Sequence, residues 1–442
     1  MKHERSRALY DRALSVFPGG VNSPVRAVRP YPVFVDRGDG AHVVDVDGNR
    51  FLDYVMGYGP LLLGHTLPEE VREAIGAQVA DGAMYGAPAQ PALELAEFVI
   101  DHVDSVEKLC FVNSGTEATT TAVRLARGYT GRDKLVLIGG GYHGALDPAL
   151  ADADGSPASP GIPAGVTADT ITIPYNDPDA AERVFDRHGE SIAAVMVEPL
   201  LGNKGCLDPV PGYLQALRSV TETYNALLIF DEVMTGFRIG GLGCAQSVVG
   251  VRPDLTTFAK VIGGGFPVGA VGGNARIMDQ LTPTGEVFHA STYAAHPVGM
   301  VAGLEMLRYA ADNDVYDRLA DLGNRLRAGL ADVLADSRPG YTVVGRDSMF
   351  KVVFTEAEPA APAAGCRTGC RHDPQCARYG TCPRDGRDVD AANGERWERL
   401  FWQAMKERGV LLTADQNESQ FLSAAHTEED VEETIEAYKH AL

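Results

Sequence analysis

The run Ala226-Leu227-Leu228-Ile229-Phe230, which Asp231 follows, decides the fold class. Mostly apolar runs of similar length recur at residues 109–112, 134–138 and 193–197, and segments with helical spacing separate them. Strands buried on both faces have this composition, and they occur in parallel sheets that helices cover on both sides. The sequence therefore predicts an α/β protein with a mostly parallel central sheet.

The first sixty residues have a different pattern. Residues 4–16 predict a helix, and apolar runs at 32–35 and 42–46 predict strands, with a turn at Asp47-Gly48-Asn49. We therefore expect this part of the chain to form a separate N-terminal segment.

The C-terminal third predicts a smaller α+β domain. Beyond Pro297 the pattern is helical to about Leu334, and strands are predicted at 341–344 and 350–354. A chain of 442 residues suits two or three domains, and we expect both ends of the chain to build the small one. The predicted boundaries are an N-terminal segment at 1–64, a large domain at 65–310 and a C-terminal small domain at 311–442.

Two stretches contain too many turn residues for regular structure. Residues 152–168 are rich in glycine, proline and serine, and a loop of this length in a compact domain is usually functional or disordered. Residues 357–393 are similarly irregular and hold four of the seven cysteines. We predict loops in both places.

The charge balance excludes several classes of partner. Sixty acidic residues against 39 basic ones give a formal net charge of −21, and such a surface repels nucleic acid and anionic membranes. Only eight lysines occur, which indicates adaptation to high salt, with an ordinary acidic enzyme as the alternative. The chain has no apolar signal segment and no run of about 18 apolar residues, so we expect a cytoplasmic protein.

The first candidate site is Asn113-Ser114-Gly115-Thr116-Glu117-Ala118, between a predicted strand and a predicted helix. A helix N-terminus with small residues presents free backbone N–H groups, which suit a phosphate. Ordinary capping of the helix by Ser114 or Thr116 explains the same residues. The motif alone does not separate these two interpretations.

Two further candidates follow predicted strands. Asp231 ends an apolar strand, where a carboxylate can face a ligand crevice and pair with the pyridine nitrogen of pyridoxal phosphate (PLP), or can merely cap the next turn. Lys260 follows the run 255–259 and precedes three glycines. A Schiff-base lysine would have this setting, and so would a surface lysine in a glycine loop. The combination of a phosphate turn, an aspartate and a lysine at strand ends favours a PLP site.

The segment Gly139-Gly140-Gly141-Tyr142-His143-Gly144 matches a dinucleotide-binding motif. It runs into Asp147-Pro148 and a proline-rich stretch instead of a helix, so the sequence argues against a dinucleotide site. Tyr142 and His143 fit better as an aromatic pair that stacks on a flat ring.

Over nearly its whole length the chain resembles the class III aminotransferases, which are fold type I PLP enzymes with a large domain and a small α+β domain. The residues that carry the resemblance are Phe17-Pro-Gly-Gly-Val-Asn-Ser-Pro-Val-Arg26, Leu63-Gly-His65, 113–118, Tyr142-His-Gly144, Glu198-Pro199, Gly202-Asn203, Asp231-Glu-Val-Met-Thr-Gly-Phe-Arg238, 260–265 and Ala425-His-Thr427. The Asn-Ser-Pro-Val-Arg part of the first motif points to the aminomutase branch of that class.

The resemblance implies a role for each matching residue. Lys260 would form the Schiff base and move protons, Asp231 would pair with the ring nitrogen, and Glu418 would tune the two forms of the cofactor, PLP and pyridoxamine phosphate. The further residues implied to bind the cofactor are Ser114, Gly115, Thr116, Tyr142, His143, Asn203, Val233 and Thr292, with Tyr142 and Val233 on the two faces of the ring.

The resemblance also implies how substrate and subunits are arranged. Ser23 and Arg26 would bind the substrate carboxylate, for which a guanidinium is well suited. Residues 152–168 would form a lid, and Thr292 would reach the cofactor of the neighbouring subunit of a homodimer. Ser291 stands where the family has glycine. The implied reaction moves an amino group within one small-molecule substrate, and an association with the enzyme that supplies a labile semialdehyde stays open.

Other functions remain compatible with the motifs. Within the class these are an ω-aminotransferase and an amino-acid racemase. Outside it stands a regulatory or metal-sensing protein that kept the PLP fold without catalysis. The joint presence of Lys260, Asp231 and Arg26 favours an enzyme.

Four clustered cysteines lie where the family has a short connection: Cys366, Cys370, Cys376 and Cys382. In a cytoplasmic protein such a cluster suggests a zinc or iron–sulfur site, with His372 as a spare ligand. The spacing matches no common metal motif, so disulfides or free thiols are the alternatives. A metal here would stabilise the loop.

Overall fold

The structure is a computed structural model that describes residues 3–335, 341–354, 385–391 and 394–441. Its helices are α1 (Glu4–Ala13), α2 (Glu69–Asp81), α3 (Gln90–His102), α4 (Gly115–Thr130), α5 (Ala164–Thr167), α6 (Pro178–His188), α7 (Tyr213–Tyr224), α8 (Cys244–Val249), α9 (Ala275–Met278), α10 (Pro297–Asp312), α11 (Val315–Ala335), α12 (Gly386–Asp390), α13 (Gly394–Arg408) and α14 (Glu428–Ala441). Its strands are β1 (Val35–Asp39), β2 (His42–Asp45), β3 (Arg50–Asp53), β4 (Lys108–Val112), β5 (Lys134–Gly139), β6 (Thr170–Pro174), β7 (Ile192–Val197), β8 (Leu227–Asp231), β9 (Leu255–Ala259), β10 (Gly269–Gly273), β11 (Tyr341–Val344), β12 (Met349–Phe354), β13 (Val410–Leu411) and β14 (Gln420–Phe421). Within these ranges, no helix combines the length and the apolar character that crossing a bilayer requires.

A seven-stranded sheet with the order β4-β10-β9-β8-β7-β5-β6 forms the centre of the molecule. Strands β5 to β9 run parallel, and β10 is antiparallel to both of its neighbours, β4 and β9. Every side chain of β7, β8 and β9 is buried, which explains why β7 is apolar throughout and β8 is apolar up to Asp231, whereas β9 also contains two threonines. The prediction of a mostly parallel α/β sheet is confirmed.

The sequence did not predict strand β10, because its composition is unfavourable for a strand. Three of its five residues are glycine, and glycine lowers strand propensity. Close packing requires glycine at Gly272, since a Cβ there would lie 2.8 Å from side-chain carbons of Leu109 and Val106. Only the packing of the neighbouring elements shows why this strand forms.

Two small sheets lie outside the central one. The order β1-β2-β3-β13 joins the two ends of the chain, because Val410 pairs in parallel with Leu52. Strands β11, β12 and β14 form the other sheet, in antiparallel pairs. Both ends of the chain therefore build the smaller α+β part, as the resemblance implies.

Several local boundaries differ from the predictions. Helix α1 ends at Ala13, and the first strand begins at Val35 rather than at residue 32. The stretches expected to be irregular contain the short helices α5 and α12, and an Asp385 side chain that accepts from two backbone amides caps α12. The turn at 47–49 is confirmed, and it joins β2 to β3. Asp45 Oδ1 stabilises the turn by accepting hydrogen bonds from the amides of residues 47 and 49.

A buried guanidinium joins the large sheet to the small ones. Arg238 is 1% exposed, and its nitrogens donate to the carbonyl oxygens of Gly59 and Leu422 at 2.7 and 2.9 Å and to the hydroxyl of Ser348 at 2.9 Å. Its plane lies 5.2 Å from the centre of the Phe421 ring. Burial lowers the pKa of Arg238 to about 10, which leaves it charged at neutral pH.

Replacing Arg238 by methionine keeps the volume of the side chain but leaves the oxygens of Gly59, Leu422 and Ser348 without these donors. We expect Arg238→Met to lower the free energy of unfolding by at least about 2 kcal/mol, because unsatisfied buried acceptors cost about 1–3 kcal/mol each. Denaturant unfolding in high salt measures this change. The control is Arg37→Met, because Arg37 is exposed and pairs with Asp36, which is exposed as well. Equal losses in both variants would contradict the assignment.

Candidate functional site

The carboxyl ends of three neighbouring strands place a carboxylate, a second carboxylate and a lysine side by side. Glu198 follows β7, Asp231 ends β8 and Lys260 follows β9. These strands are adjacent and parallel, so all three residues lie at the same edge of the sheet. They line a cavity of about 560 Å³.

The Asp231 carboxylate is held from three directions. Its Oδ1 accepts from the amide of Val233 at 3.0 Å and from the hydroxyl of Thr257 at 3.1 Å. Its Oδ2 lies 2.7 Å from His143 Nδ1. Asp231 is 2% exposed, so its orientation is fixed by these groups, and Asp231 also lines the cavity.

His143 supports Asp231 from the neighbouring loop. Burial lowers the pKa of the imidazole, but the hydrogen bond with Asp231 and its negative charge outweigh burial and raise the pKa above its ordinary value. The other ring nitrogen, Nε2, is buried without a partner among the described residues. Tyr142, the other half of the expected aromatic pair, is 55% exposed and also lines the cavity.

Glu198 is a site residue to which the sequence analysis gave no role. Its carboxylate accepts from the amides of Tyr142 and Gly202 at 2.9 and 2.8 Å and from the side-chain amide of Asn203 at 3.2 Å. Burial, with the nearby charge of Asp231, raises the pKa of the Glu198 carboxyl. The signal was present in the sequence, because Glu198 follows a buried strand as Asp231 ends one.

The phosphate turn begins helix α4. The Ser114 hydroxyl accepts from the amide of Glu117 at 3.2 Å, so the capping interpretation is confirmed. Capping still leaves the first amides of the helix, at Gly115 and Thr116, without intrahelical partners, and both residues line the cavity. Gly144 packs on this turn, and a Cβ there would lie 2.5 Å from Thr116 Oγ1.

Lys260 lies at the cavity in a left-handed backbone conformation, with φ +53°. Burial lowers the pKa of its ammonium, and the charges of Asp231, Glu198 and Glu418 oppose this effect. The lysine can therefore lose its proton more readily than a surface lysine, as Schiff-base formation requires. The interpretation as an ordinary surface lysine is wrong.

Most of the residues expected at the site line the cavity. Those that line it are Arg26, Ser114, Gly115, Thr116, Tyr142, His143, Asn203, Asp231, Val233 and Lys260. Ser23, Thr292 and Glu418 are not among the lining residues, although the charge of Glu418 acts on Lys260. The four clustered cysteines lie outside the described residues, and within the described ranges no group of three or more potential ligands is placed to hold a metal.

The residues of the cavity fit PLP. The free amides of α4 suit its phosphate, the buried Asp231 carboxylate suits its ring nitrogen, and Lys260 suits its aldehyde. The unpartnered His143 Nε2 is consistent with a bound group. With the mostly parallel sheet, this site defines a PLP-dependent enzyme of fold type I.

Comparisons with known proteins define the family. The family model "Aminotransferase class-III" matches residues 24–442. A glutamate-1-semialdehyde 2,1-aminomutase of Haloarcula marismortui is 60% identical over 445 residues, covering 100% of both chains. An omega-transaminase from Sphaerobacter thermophilus has a TM-score of 0.87 at 35% identity, over 99% of this chain and 96% of that one. A transaminase with PLP bound has a TM-score of 0.86 at 33% identity, over 100% and 97% of the two chains. The chain belongs to the class III aminotransferases.

The contact between Gly144 and Thr116 tests the phosphate turn. We expect Gly144→Ala to weaken PLP binding at least tenfold, about 1.4 kcal/mol, because the new methyl group would displace Thr116. Titration of the cofactor-free protein with PLP measures the change. Gly212→Ala is the matched control, since Gly212 has a similar φ of +86° and no atom within 4 Å of a Cβ there. Equal losses of affinity in both variants would show that backbone strain, not the contact, is responsible.

Proposed function

We propose that this chain is a glutamate-1-semialdehyde 2,1-aminomutase, an isomerase that forms 5-aminolevulinate for tetrapyrrole biosynthesis. One observation carries the proposal: Arg26, a carboxylate-binding group, lines the same cavity as Lys260 and Asp231. The full-length relative of Haloarcula marismortui that bears this name supports the choice of substrate. The net charge of −21 supports a protein that works in high salt.

The chemistry divides between the cofactor and the chain. When bound, PLP withdraws electrons from the carbon that bears an amino group, so that a proton on that carbon becomes acidic. Lys260 Nζ accepts this proton and returns it, which its lowered pKa permits. Asp231 keeps a proton on the ring nitrogen, and His143 fixes the orientation of Asp231. Tyr142 and Val233 would cover the two faces of the ring.

The substrate side of the cavity explains why no second amino donor is needed. Arg26 would bind the substrate carboxylate, with Ser23 three residues earlier assisting it. An anchored substrate could place first its aldehyde carbon and then its amino-bearing carbon at the same point of the cavity, so that one carbon would gain an amino group and the other would give one up. Residues 152–168 would close over the cavity and retain the substrate between the two steps.

We further infer that the enzyme is a homodimer in which Thr292 reaches the cofactor of the partner. The segment around Thr292 exposes two large side chains, Phe288 at 67% and Tyr293 at 60%, as an interface would require. Ser291 Oγ accepts from Asn113 Nδ2 at 2.6 Å, which ties this segment to the phosphate turn. Asn203 and Glu418 would complete the cofactor environment. The metal at the four cysteines stays a prediction.

The decisive measurement is the formation of 5-aminolevulinate from glutamate-1-semialdehyde by the purified protein in high salt, without an added amino donor. We expect turnover, and we expect Lys260→Ala to reduce it at least about a hundredfold, because the proton carrier is lost. Lys108→Ala is the control, since Lys108 is exposed and pairs with Asp279. Turnover only with an external amine would indicate an ω-aminotransferase, racemisation of an amino acid would indicate a racemase, and PLP binding without any turnover would indicate a regulator.

The role of Arg26 gives a separate prediction. We expect Arg26→Met to raise KM for glutamate-1-semialdehyde about ten- to hundredfold, because hydrogen bonds to charged groups contribute about 1.5–3 kcal/mol. Affinity for PLP should stay unchanged. The control is Arg29→Met in the same segment, because Arg29 does not line the cavity. An unchanged KM in Arg26→Met would move the carboxylate site elsewhere.

A further inference from the structure

One of the eight lysines has a fully buried side chain. Lys351 lies in β12 and is 0% exposed. Its ammonium lies 3.3 Å from the centre of the Trp397 ring and donates to the carbonyl oxygen of Asp415 at 3.2 Å. Among the described residues, the contacts of this ammonium are that carbonyl oxygen and that ring, and neither carries a formal charge. A buried cation without a carboxylate contact is costly, so a function is expected of it.

Lys351 and Trp397 both hold residues 413–419, which we call the Glu418 loop. Trp397 Nε1 donates to the carbonyl oxygen of Thr413 at 3.1 Å, while Lys351 donates to that of Asp415. Inside the loop, the Thr413 hydroxyl donates to the carbonyl oxygen of Glu418 at 3.1 Å. These two side chains therefore hold the loop at two backbone oxygens, those of Thr413 and Asp415.

The Glu418 loop also contacts the cofactor cavity. The Ser419 hydroxyl donates to the carbonyl oxygen of Gly202, and the amide of Gly202 donates to Glu198 at 2.8 Å. Asn203, the next residue, donates to the same carboxylate. A displacement of the loop would thus be transmitted to Glu198 by a chain of hydrogen bonds.

Charge gives a second connection between Lys351 and the site. Burial and the charge of Asp415 raise the pKa of Glu418, whereas the positive charges of Lys260, Lys351 and Lys204 lower it. The negative charge of Glu418 in turn raises the pKa of Lys260. Burial lowers the pKa of Lys351, and the charges of Asp415 and Glu418 oppose this effect.

We propose that Lys351 is a positioning residue that holds the Glu418 loop against the cavity. This inference rests on the proposed function only for its consequence in catalysis, because the test uses the chain without cofactor. Lys351 does not line the cavity, and it acts through the loop that carries Glu418.

The test uses Lys351→Met, which keeps the length and the apolar stem of the side chain, in the full-length protein without cofactor. We expect amide hydrogen exchange in residues 413–419 to rise at least about tenfold, because a charge-assisted hydrogen bond is lost. We also expect the ionisation midpoint of Lys260, measured by acetic anhydride labelling across pH and mass spectrometry, to move to lower pH. Losing Lys351 releases the Glu418 loop, and a displaced Glu418 stabilises the charged form of Lys260 less.

Three comparisons make the result decisive. Lys439→Met, at an exposed lysine of α14, should change neither readout. Lys351→Arg should restore the Lys260 midpoint, because it restores the charge. If Lys351→Met does not fold, Trp397→Phe removes the donor to Thr413 while keeping a ring, and should raise exchange in the same loop. A loss of stability alone, with both readouts unchanged, would overturn the proposal. Both readouts are independent of turnover, so failure of the aminomutase assay would leave this result standing.

Discussion

The parallel register of β7, β8 and β9 is the constraint on which the rest of the structure depends. Val197 pairs with Phe230, and Asp231 pairs with Thr257, so β7 ends one residue before β8, and β9 ends two residues beyond it. Glu198 after β7, Asp231 at the end of β8 and Lys260 after β9 therefore line the same crevice. A shift of one residue in either pairing would turn Asp231 to the other face of the sheet, because side chains alternate along a strand.

The site is a balance of buried charges around one lysine. Asp231 and Glu198 are each almost fully buried, and each accepts hydrogen bonds from neighbouring parts of the chain. Their charges oppose the effect of burial on the pKa of Lys260. Burial favours the neutral form of the lysine, and the two carboxylates favour its charged form. The opposition leaves it able to gain and lose a proton, as its proposed function requires.

The large and small parts of the molecule are joined through polar groups at two places. Arg238 connects the loop after β8 with carbonyl oxygens from both ends of the chain. Ser419 connects the Glu418 loop with Gly202. Polar contacts of this kind have strict geometry, so they fix the relative position of the parts more narrowly than apolar packing alone would. A movement of the small sheets would therefore displace the part of the cavity wall that Glu198 holds in place.

The sequence by itself determined the α/β class, the mostly parallel sheet, and the residues Lys260, Asp231 and Ser114 to Thr116 as candidates, because apolar runs and strand-end polar residues are local signals. It also placed Arg26 by its motif. Only the tertiary structure decided that β10 is a strand, that Glu198 organises the Tyr142 and Gly202 loops, and that Arg238 and Lys351 are buried cations. These features depend on partners distant in sequence: an arginine or lysine looks the same in the sequence whether water or a carbonyl oxygen surrounds it. Burial and hydrogen-bond partners are properties of the packed chain, and no local pattern encodes them.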